Sequence, residues 1–236
     1  MTPTVTRHSL TLNGEMTVTD KQERFEMMGL NQGGLSPVYV YSDAWANQSG
    51  IARANLASEA WREQIKKIIM ARHIKIVIID NLASLIYGLD ENVKKDWDSV
   101  NQWLIDLRFL GITTILEHHT GKAGSQRGTS AREDNIDISI MLKRPGDYVA
   151  EDGCRFIMSF SKARVNQDAL ALIGDTEFQL TKREGGRYEF ATKNIRRAVK
   201  EEILQMIGEG KKQKEIADAL HVDKAYVSRI AKGIKG

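Results

Sequence analysis

The sequence contains a single cysteine, Cys154, among its 236 residues. One cysteine excludes a disulfide framework and a cysteine-rich zinc site, and it fits the reducing cytoplasm. No apolar run approaches the roughly 20 residues that a membrane-spanning helix needs, and the first residues lack the apolar core of a secretory signal. These absences predict a cytoplasmic protein without a membrane partner.

A strong charge of either sign is also missing, because the formal net charge is only +3. The charge is nevertheless uneven: residues 193–236 carry 11 Lys and Arg against 6 Asp and Glu, whereas the rest of the chain is slightly acidic. The hydrophobic fraction of 42% is ample for a core. Length and charge together predict an α/β domain at residues 1–193 and a small basic all-α domain at residues 194–236.

Three apolar runs with the length and β-branched content of buried strands each end in reactive side chains. The runs lie at residues 8–15, 74–80 and 112–119. Amphipathic helical patterns between them predict a mostly parallel sheet flanked by helices, because parallel strands need crossover connections. Glu15, Asp80, His118 and His119 would then meet at the carboxyl edge of the sheet, where open α/β sheets bind ligands.

This combination of side chains suits nucleoside-triphosphate chemistry. Asp80 could hold magnesium through water, since Mg²⁺ prefers oxygen ligands, and Glu15 could orient or deprotonate an attacking water. Adjacent histidines on a strand point to opposite faces, so one of His118 and His119 could sense the terminal phosphate. Each signal has a structural alternative, because Asp also forms turns after strands and His also packs in cores.

Further cations follow these strands. Residues 120–134 combine glycines with lysine and arginine, among them Arg127, and arginine forks match phosphate oxygens. An ordinary solvated surface loop is the alternative. Lys162 and Arg164, two residues apart at the end of a strand pattern, would share one face and could grip a phosphate contributed by a neighbouring subunit.

Several of these stretches resemble one family. Residues 12–16 (Leu-Asn-Gly-Glu-Met) and 22–25 (Gln-Glu-Arg-Phe) look like the D-G-E-M and Q-E-R segment of RepA-like ATPases, AAA-type hexameric helicases of plasmids and phages with a RecA fold, related to KaiC and DnaB. Residues 78–82 look like the Walker B strand of that family. Residues 118–134 are similar to its H-H-x-G-K and Q-R-G-T-S-x-R-E-D motifs, and residues 162–164 resemble its K-A-R.

The resemblance implies a role for each candidate residue. Glu15 would be the catalytic base, Asp80 would serve the Mg²⁺ that accompanies ATP, and one of the two histidines would be the sensor. Arg127 would be the arginine finger that reaches the nucleotide of a neighbouring subunit, and the two cations of the K-A-R motif would assist it. The implied assembly is a hexameric ring with ATP between subunits.

The sequence departs from this family in one respect. The motif G-x-x-x-x-G-K-[ST], whose backbone amides and lysine grip the triphosphate, is absent from the chain. In the family this phosphate loop lies just before the strand that ends in Glu15. We therefore expect either a chain truncated at its N terminus or a core without autonomous ATP binding, inactive or incomplete as an ATPase.

The basic tail has the pattern of a helix-turn-helix. Helical patterns at residues 213–220 and 224–232 share an apolar stripe and are joined by a turn of about three residues. Residues 212–229 closely resemble the signature K-x-x-E-I-A-x-x-L-x-V-x-x-x-x-V-S-R.

The second helix of this motif supplies the candidate DNA contacts. Arg229 is the candidate for a base contact and Lys224 for a phosphate contact, with Tyr226 and Ser228 beside them. A three-helix module that binds protein is the alternative.

The sequence thus predicts a RepA-like ATPase of the replicative DNA helicase type that couples ATP hydrolysis to DNA. The alternative is a non-enzymatic helix-turn-helix regulator whose degenerate ATPase core serves oligomerisation. A clock-like or signalling ATPase without helicase activity is a third interpretation, which the basic helix-turn-helix disfavours.

Overall fold

In the computed structural model the chain divides into two compact units, residues 1–136 and 137–236. The structure describes residues 7–29, 37–87, 94–119, 135–183, 188–220 and 222–232. The boundary predicted between residues 193 and 194 lies within the second unit, at the point where a strand gives way to a helix. No helix in the described part of the chain is long and apolar enough to cross a membrane.

The first unit contains a parallel sheet of four strands in the order β2-β1-β3-β4. The strands are β1 (His8–Asn13), β2 (Val38–Ser42), β3 (Ile74–Asp80) and β4 (Thr113–Leu116). The described helices are α1 (Val18–Met27), α2 (Asp43–Gln48), α3 (Glu59–Ala71), α4 (Leu82–Leu85) and α5 (Lys94–Phe109). The predicted parallel sheet flanked by helices is confirmed.

Local chemistry fixes where the helices of this unit begin. Ser58 Oγ accepts a hydrogen bond from Trp61 N at the start of α3, and Thr17 Oγ1 accepts one from Asp20 N at the start of α1. Such side-chain caps satisfy backbone donors that have no partner inside the helix. The apolar stripe of α3, which includes Ile65 and Ile69, is then buried in the same core as the central strands β1 and β3.

The second unit contains a separate antiparallel sheet in the order β5-β6-β7-β8. Its strands are β5 (Ile138–Lys143), β6 (Arg155–Ala163), β7 (Thr176–Lys182) and β8 (Tyr188–Asn194). Its helices are α6 (Gln167–Leu172), α7 (Ile195–Gly208), α8 (Gln213–Ala219) and α9 (Lys224–Lys232). The last three of these helices share a small core of their own, formed by Ile203, Ile216, Ala217 and Val227.

Candidate active site

The carboxyl edge of the parallel sheet is built by pairing the ends of β1 and β3. Asn13 is the register partner of Asp80, and Gly14 N donates a 2.7 Å hydrogen bond to Asp80 O. A Cβ atom on Gly14 would lie only 2.9 Å from Cβ of Ser84 in α4. Glycine is therefore required here for the backbone to approach α4, and this approach brings the next residue, Glu15, beside Ser84.

The Glu15 carboxylate lies among polar side chains that favour its ionised form. Ser84 Oγ donates a 3.1 Å hydrogen bond to Glu15 Oε1, and His119 Nε2 lies 3.5 Å from Glu15 Oε2. Burial alone would raise the pKa of Glu15, but Asn81, Ser84 and His119 together outweigh it and lower the pKa below its ordinary value. The side chain keeps 43% of its surface exposed. Glu15 is thus an ionised carboxylate with access to solvent, as a base that acts on water requires.

The two histidines at the end of the third apolar run have different surroundings. His119 reaches toward Glu15, and its side chain is 76% exposed. The His118 ring is partly buried, with its Nδ1 atom enclosed. Since adjacent residues of an extended segment point to opposite sides, only one of them faces the carboxylate. Of the two predicted sensor candidates, His119 has the geometry to contact a ligand beside Glu15.

Asp80 is already engaged by a cation from the chain itself. Lys21 Nζ, from the first turns of α1, donates a 2.9 Å hydrogen bond to Asp80 Oδ2. The side chains of Lys21 and Asp80 are only 15% and 17% exposed. The carboxylate predicted to serve a metal is therefore neutralised by an ammonium group in this structure.

A third carboxylate, Glu117, lies at the same edge. Its backbone is fixed on both sides, because Glu117 N donates to Ile79 O and Glu117 O accepts from Leu82 N, each at 3.0 Å. Burial raises the pKa of Glu117, and the nearby negative charge of Asp80 raises it further. The edge therefore concentrates negative charge, which Lys21 and His119 partly offset.

The residues at this edge fit a magnesium ion only in part. A strand-terminal carboxylate offers hard oxygen atoms, and Mg²⁺ is often held by one or two carboxylates together with water and substrate phosphates. Among the described residues no group of three or more acidic, His or Cys side chains forms a metal site. Asp80 could hold Mg²⁺ as a single protein ligand once Lys21 no longer occupies its Oδ2 atom.

Other predicted site residues lie elsewhere. Arg127, the predicted arginine finger, lies outside the described residues. Lys162 lies near the end of β6 opposite Ser139 of β5, and Arg164 N donates a 2.8 Å hydrogen bond to Asp137 O. Lys162 and Arg164 belong to the second unit, and both side chains interact within the protein.

The candidate DNA contacts lie on or at the start of α9. Asp223 Oδ1 accepts a 2.6 Å hydrogen bond from Ala225 N, so the Asp223 side chain caps the start of this helix. Lys224 and Arg229 are exposed, whereas Val227 between them is buried in the three-helix core. The Arg229 guanidinium lies 6.0 Å from the ring centroid of Tyr226. The helix therefore presents a cationic and aromatic surface to solvent.

Sequence reasoning overlooked Lys21, Ser84 and Glu117. A weak signal for Lys21 was available, since a cation in the first turns of a helix opposes the helix dipole and calls for an acidic partner. Glu117 stood within the third apolar run, one residue before the histidines, where the sequence alone assigned it no role. Ser84 gave no signal, because only the close approach at Gly14 brings it to Glu15.

Comparison with known proteins agrees with this architecture. Residues 2–125 match the model of the AAA domain family. The fold is similar to that of a KaiC-like protein from the hyperthermophilic archaeon Pyrococcus horikoshii OT3, with a TM-score of 0.51 and 14% sequence identity over 78% of this chain and 76% of that chain. No curated protein matches the sequence significantly.

The structural likeness confirms the predicted RecA-like α/β fold, and at 14% identity it shows the fold alone. The family match covers more than half of the chain, and it contains the four parallel strands together with Glu15, Asp80 and His119. These residues thus lie in an ATPase-type framework, and the chain belongs to the AAA domain family.

Proposed function

We propose that this chain is the ATPase core of a RepA-like replicative DNA helicase of plasmid or phage type, with a DNA-binding helix-turn-helix at its C terminus. The observation that carries the proposal is the meeting of Glu15, Asp80 and His119 at one edge of a parallel sheet. ATP is the proposed ligand at this edge, and a ring of subunits, a hexamer by resemblance, is the proposed assembly.

The roles of the residues follow from their surroundings. Glu15 is held ionised and accepts the proton of the attacking water, while Ser84 fixes one of its carboxylate oxygens. His119, which lies beside Glu15, would contact the terminal phosphate and relay its loss to β4. Mg²⁺, held at Asp80, would neutralise charge on the phosphates.

Substitution of Glu15 tests the catalytic half of the proposal. Glu15→Gln, made in a form of the chain extended upstream through its reading frame, keeps the size and the hydrogen bond from Ser84 but removes the base, so we expect Mg²⁺-dependent ATP turnover to fall by about 10²-fold or more. ATP binding, measured by calorimetry, should persist. Glu63→Gln, on an exposed position of α3, is the matched control and should turn over ATP at the wild-type rate. Equal turnover by both variants would remove Glu15 from the mechanism.

The absent phosphate loop calls for a second comparison. ATP binding is measured for the 236-residue chain and for a version extended upstream through its reading frame. Binding by the extended version alone would support a site completed from outside this sequence. Binding by neither version would leave the core as a scaffold, and tight binding by the short chain would contradict our view that the phosphate loop is needed.

The DNA-binding half is supported by the exposed cations of α9. A base contact contributes about 1–3 kcal/mol of discrimination, so Arg229→Ala should weaken binding to preferred duplexes and relax sequence preference. Lys224→Ala should weaken binding uniformly and reduce its salt dependence. Lys200→Ala removes the same charge from an exposed position of α7 and serves as the control. Unchanged affinity of the Arg229 variant at moderate salt would exclude α9 as the recognition helix.

Two observations favour the alternative of a non-enzymatic DNA-binding regulator. The pairing of Asp80 with Lys21 leaves the candidate metal carboxylate neutralised, and the sequence contains no phosphate-loop motif. In that case the AAA core serves oligomerisation, and Asp80→Ala leaves DNA binding intact. Measurable Mg²⁺-dependent ATP turnover, lost in Asp80→Ala, would decide for the ATPase.

A further inference from the structure

We propose that Lys21 is a tethered counter-ion that occupies the cation position on Asp80 and is displaced when a divalent cation binds there. The proposal rests on the proposed function, because it takes Asp80 as the carboxylate that serves the metal. It adds an intramolecular competitor, because the ammonium group of Lys21 occupies the position on Asp80 that the metal ion would take.

The first argument is the quality of the contact. Lys21 Nζ and Asp80 Oδ2 are 2.9 Å apart, and both side chains are more than four-fifths buried. Burial limits the screening by water that makes exposed ion pairs weak. A cation bound at Oδ2 cannot share this position with an ammonium group at 2.9 Å, because the two positive charges would repel each other. Cation and lysine therefore exclude one another.

The second argument is that the chain fixes the position from which Lys21 reaches Asp80. Asn13, at the end of β1, accepts a hydrogen bond from Met16 N through Oδ1 and donates one to Met16 O through Nδ2. Thr17 then caps α1. These two hydrogen bonds and the cap hold the first turns of α1 against the strand end, so the backbone of Lys21 is held within reach of Asp80.

The third argument is that a cavity beside Lys21 can accept the displaced ammonium group. Lys21 also lines a cavity of about 400 Å³ between α1 and the ends of β1 and β2. Glu26, Gln22 and Trp45 line the same cavity. We expect the long lysine stem to rotate into this space when Asp80 is released, because Glu26 offers a carboxylate there. Release of Asp80 therefore requires only a side-chain movement.

The test measures cation binding without nucleotide, so its outcome does not depend on ATP turnover. Mn²⁺ replaces Mg²⁺, since carboxylates bind both ions, and free Mn²⁺ is counted by electron paramagnetic resonance on the full chain. Lys21→Gln keeps a hydrogen-bond donor but removes the charge. We expect it to bind one Mn²⁺ at least about fivefold more tightly than the wild type, the lower end of ordinary coupling between two sites.

Two further variants define the result. Lys66→Gln removes a lysine that lies 4.0 Å from Glu63 on α3, and it should bind Mn²⁺ like the wild type. The double variant Lys21→Gln, Asp80→Asn should lose the gain in affinity, because the ligand itself is removed. Wild-type affinity of a folded Lys21→Gln protein, or a gain that survives Asp80→Asn, would overturn the proposal.

A measurement on the wild-type chain keeps the proposal testable if Lys21→Gln does not fold. Magnetic resonance of the ¹⁵N-labelled lysine ammonium groups is followed during a Mg²⁺ titration. The signal of Lys21 paired with Asp80 should lose intensity or change its chemical shift as Mg²⁺ saturates the site. A signal unchanged in position and intensity at saturation would show that cation and lysine do not compete.

Discussion

The two sheets of this chain differ in how they bury their strands. In the parallel sheet, β1 and β3 bury alternate or successive residues, with Leu12, Val77 and Ile79 at 0% exposure. In the antiparallel sheet no described residue of β5, β6, β7 or β8 is buried. The candidate active site lies on the first sheet, where packing fixes the strand ends. The residues of the candidate active site are therefore positioned by the sheet whose strands are more deeply buried, and deep packing holds side chains in a fixed geometry.

The antiparallel sheet is held together by pairs across its strands. Phe156 and Phe178 stack with ring centroids 5.3 Å apart, and Phe190 meets both rings edge-on. Arg155 contacts three carboxylates, including Glu177 of β7 at 2.6 Å, and these contacts raise its pKa further above its already high ordinary value. Such contacts stabilise the sheet through specific partners at its surface and not through a dry interior.

Matched leucine truncations should give the largest difference between the sheets. Leu12→Ala opens a cavity in a fully buried strand, so we expect a loss of about 3 kcal/mol in the free energy of unfolding of the first unit. Leu180→Ala, on the half-buried β7, should cost about 1 kcal/mol.

The two units can be followed separately in urea. All four tryptophans of the chain belong to the first unit, so their fluorescence reports its unfolding; they are Trp45, Trp61, Trp97 and Trp103. Hydrogen exchange of the β7 amides reports the antiparallel sheet. Equal losses from the two truncations would contradict the difference in packing.

Removal of a carboxylate from each unit should show the same difference between the units, with smaller losses in the free energy of unfolding. Asp43 is 4% exposed, and its Oδ1 accepts a 2.7 Å hydrogen bond from the buried Ala54 N. Asp43→Ala leaves this donor without a partner, and we expect a loss of about 2 kcal/mol. Asp152→Ala in the second unit should cost less, because Arg155 keeps Asp147 and Glu177. A larger loss for the Asp152 variant, measured in the same urea experiments, would reverse the comparison.

Much of the local structure could be predicted from the sequence. The predicted apolar runs form β1, β3 and β4, because strand periodicity depends on neighbouring residues. The sequence pattern does not predict α2, although residues 43–48 are helical. A helix of six residues is too short to show a periodic apolar stripe.

The rest depended on contacts between residues far apart in the chain. The sequence predicted individual strands but not their division into a parallel and an antiparallel sheet, since strand pairing is not encoded locally. Asp80 and Glu15 were named from the strand ends, whereas Lys21, 59 residues from Asp80, became visible only in the fold. A sequence motif identifies the candidate side chains of a site, and only the fold shows which of them, such as Asp80, already form an ion pair within the chain.

The smallest predicted effect uses two carboxylates of the same edge whose pKa values shift in opposite directions. The pKa of Glu117 is raised, chiefly by burial, so its ionisation costs stability as the pH rises through that pKa. Glu117→Gln should therefore be slightly more stable than the wild type at pH 7. The pKa of Glu15 is lowered, so its ionised form contributes stability above its ordinary pKa, and Glu15→Gln should be slightly less stable at pH 7.

Both differences should disappear in acid, where the wild-type carboxyls are protonated, and each should stay within about 0.5 kcal/mol because neither carboxyl group is fully removed from solvent. Urea unfolding followed by tryptophan fluorescence from pH 7 down to about pH 3 measures them, because the pKa of Glu15 lies below the ordinary carboxyl value. Differences of the same sign would show that one shared charge environment governs this edge. Opposite signs would show that Asn81, Ser84 and His119 favour the ionised form of Glu15, whereas Glu117 at the same edge of the sheet resists ionisation.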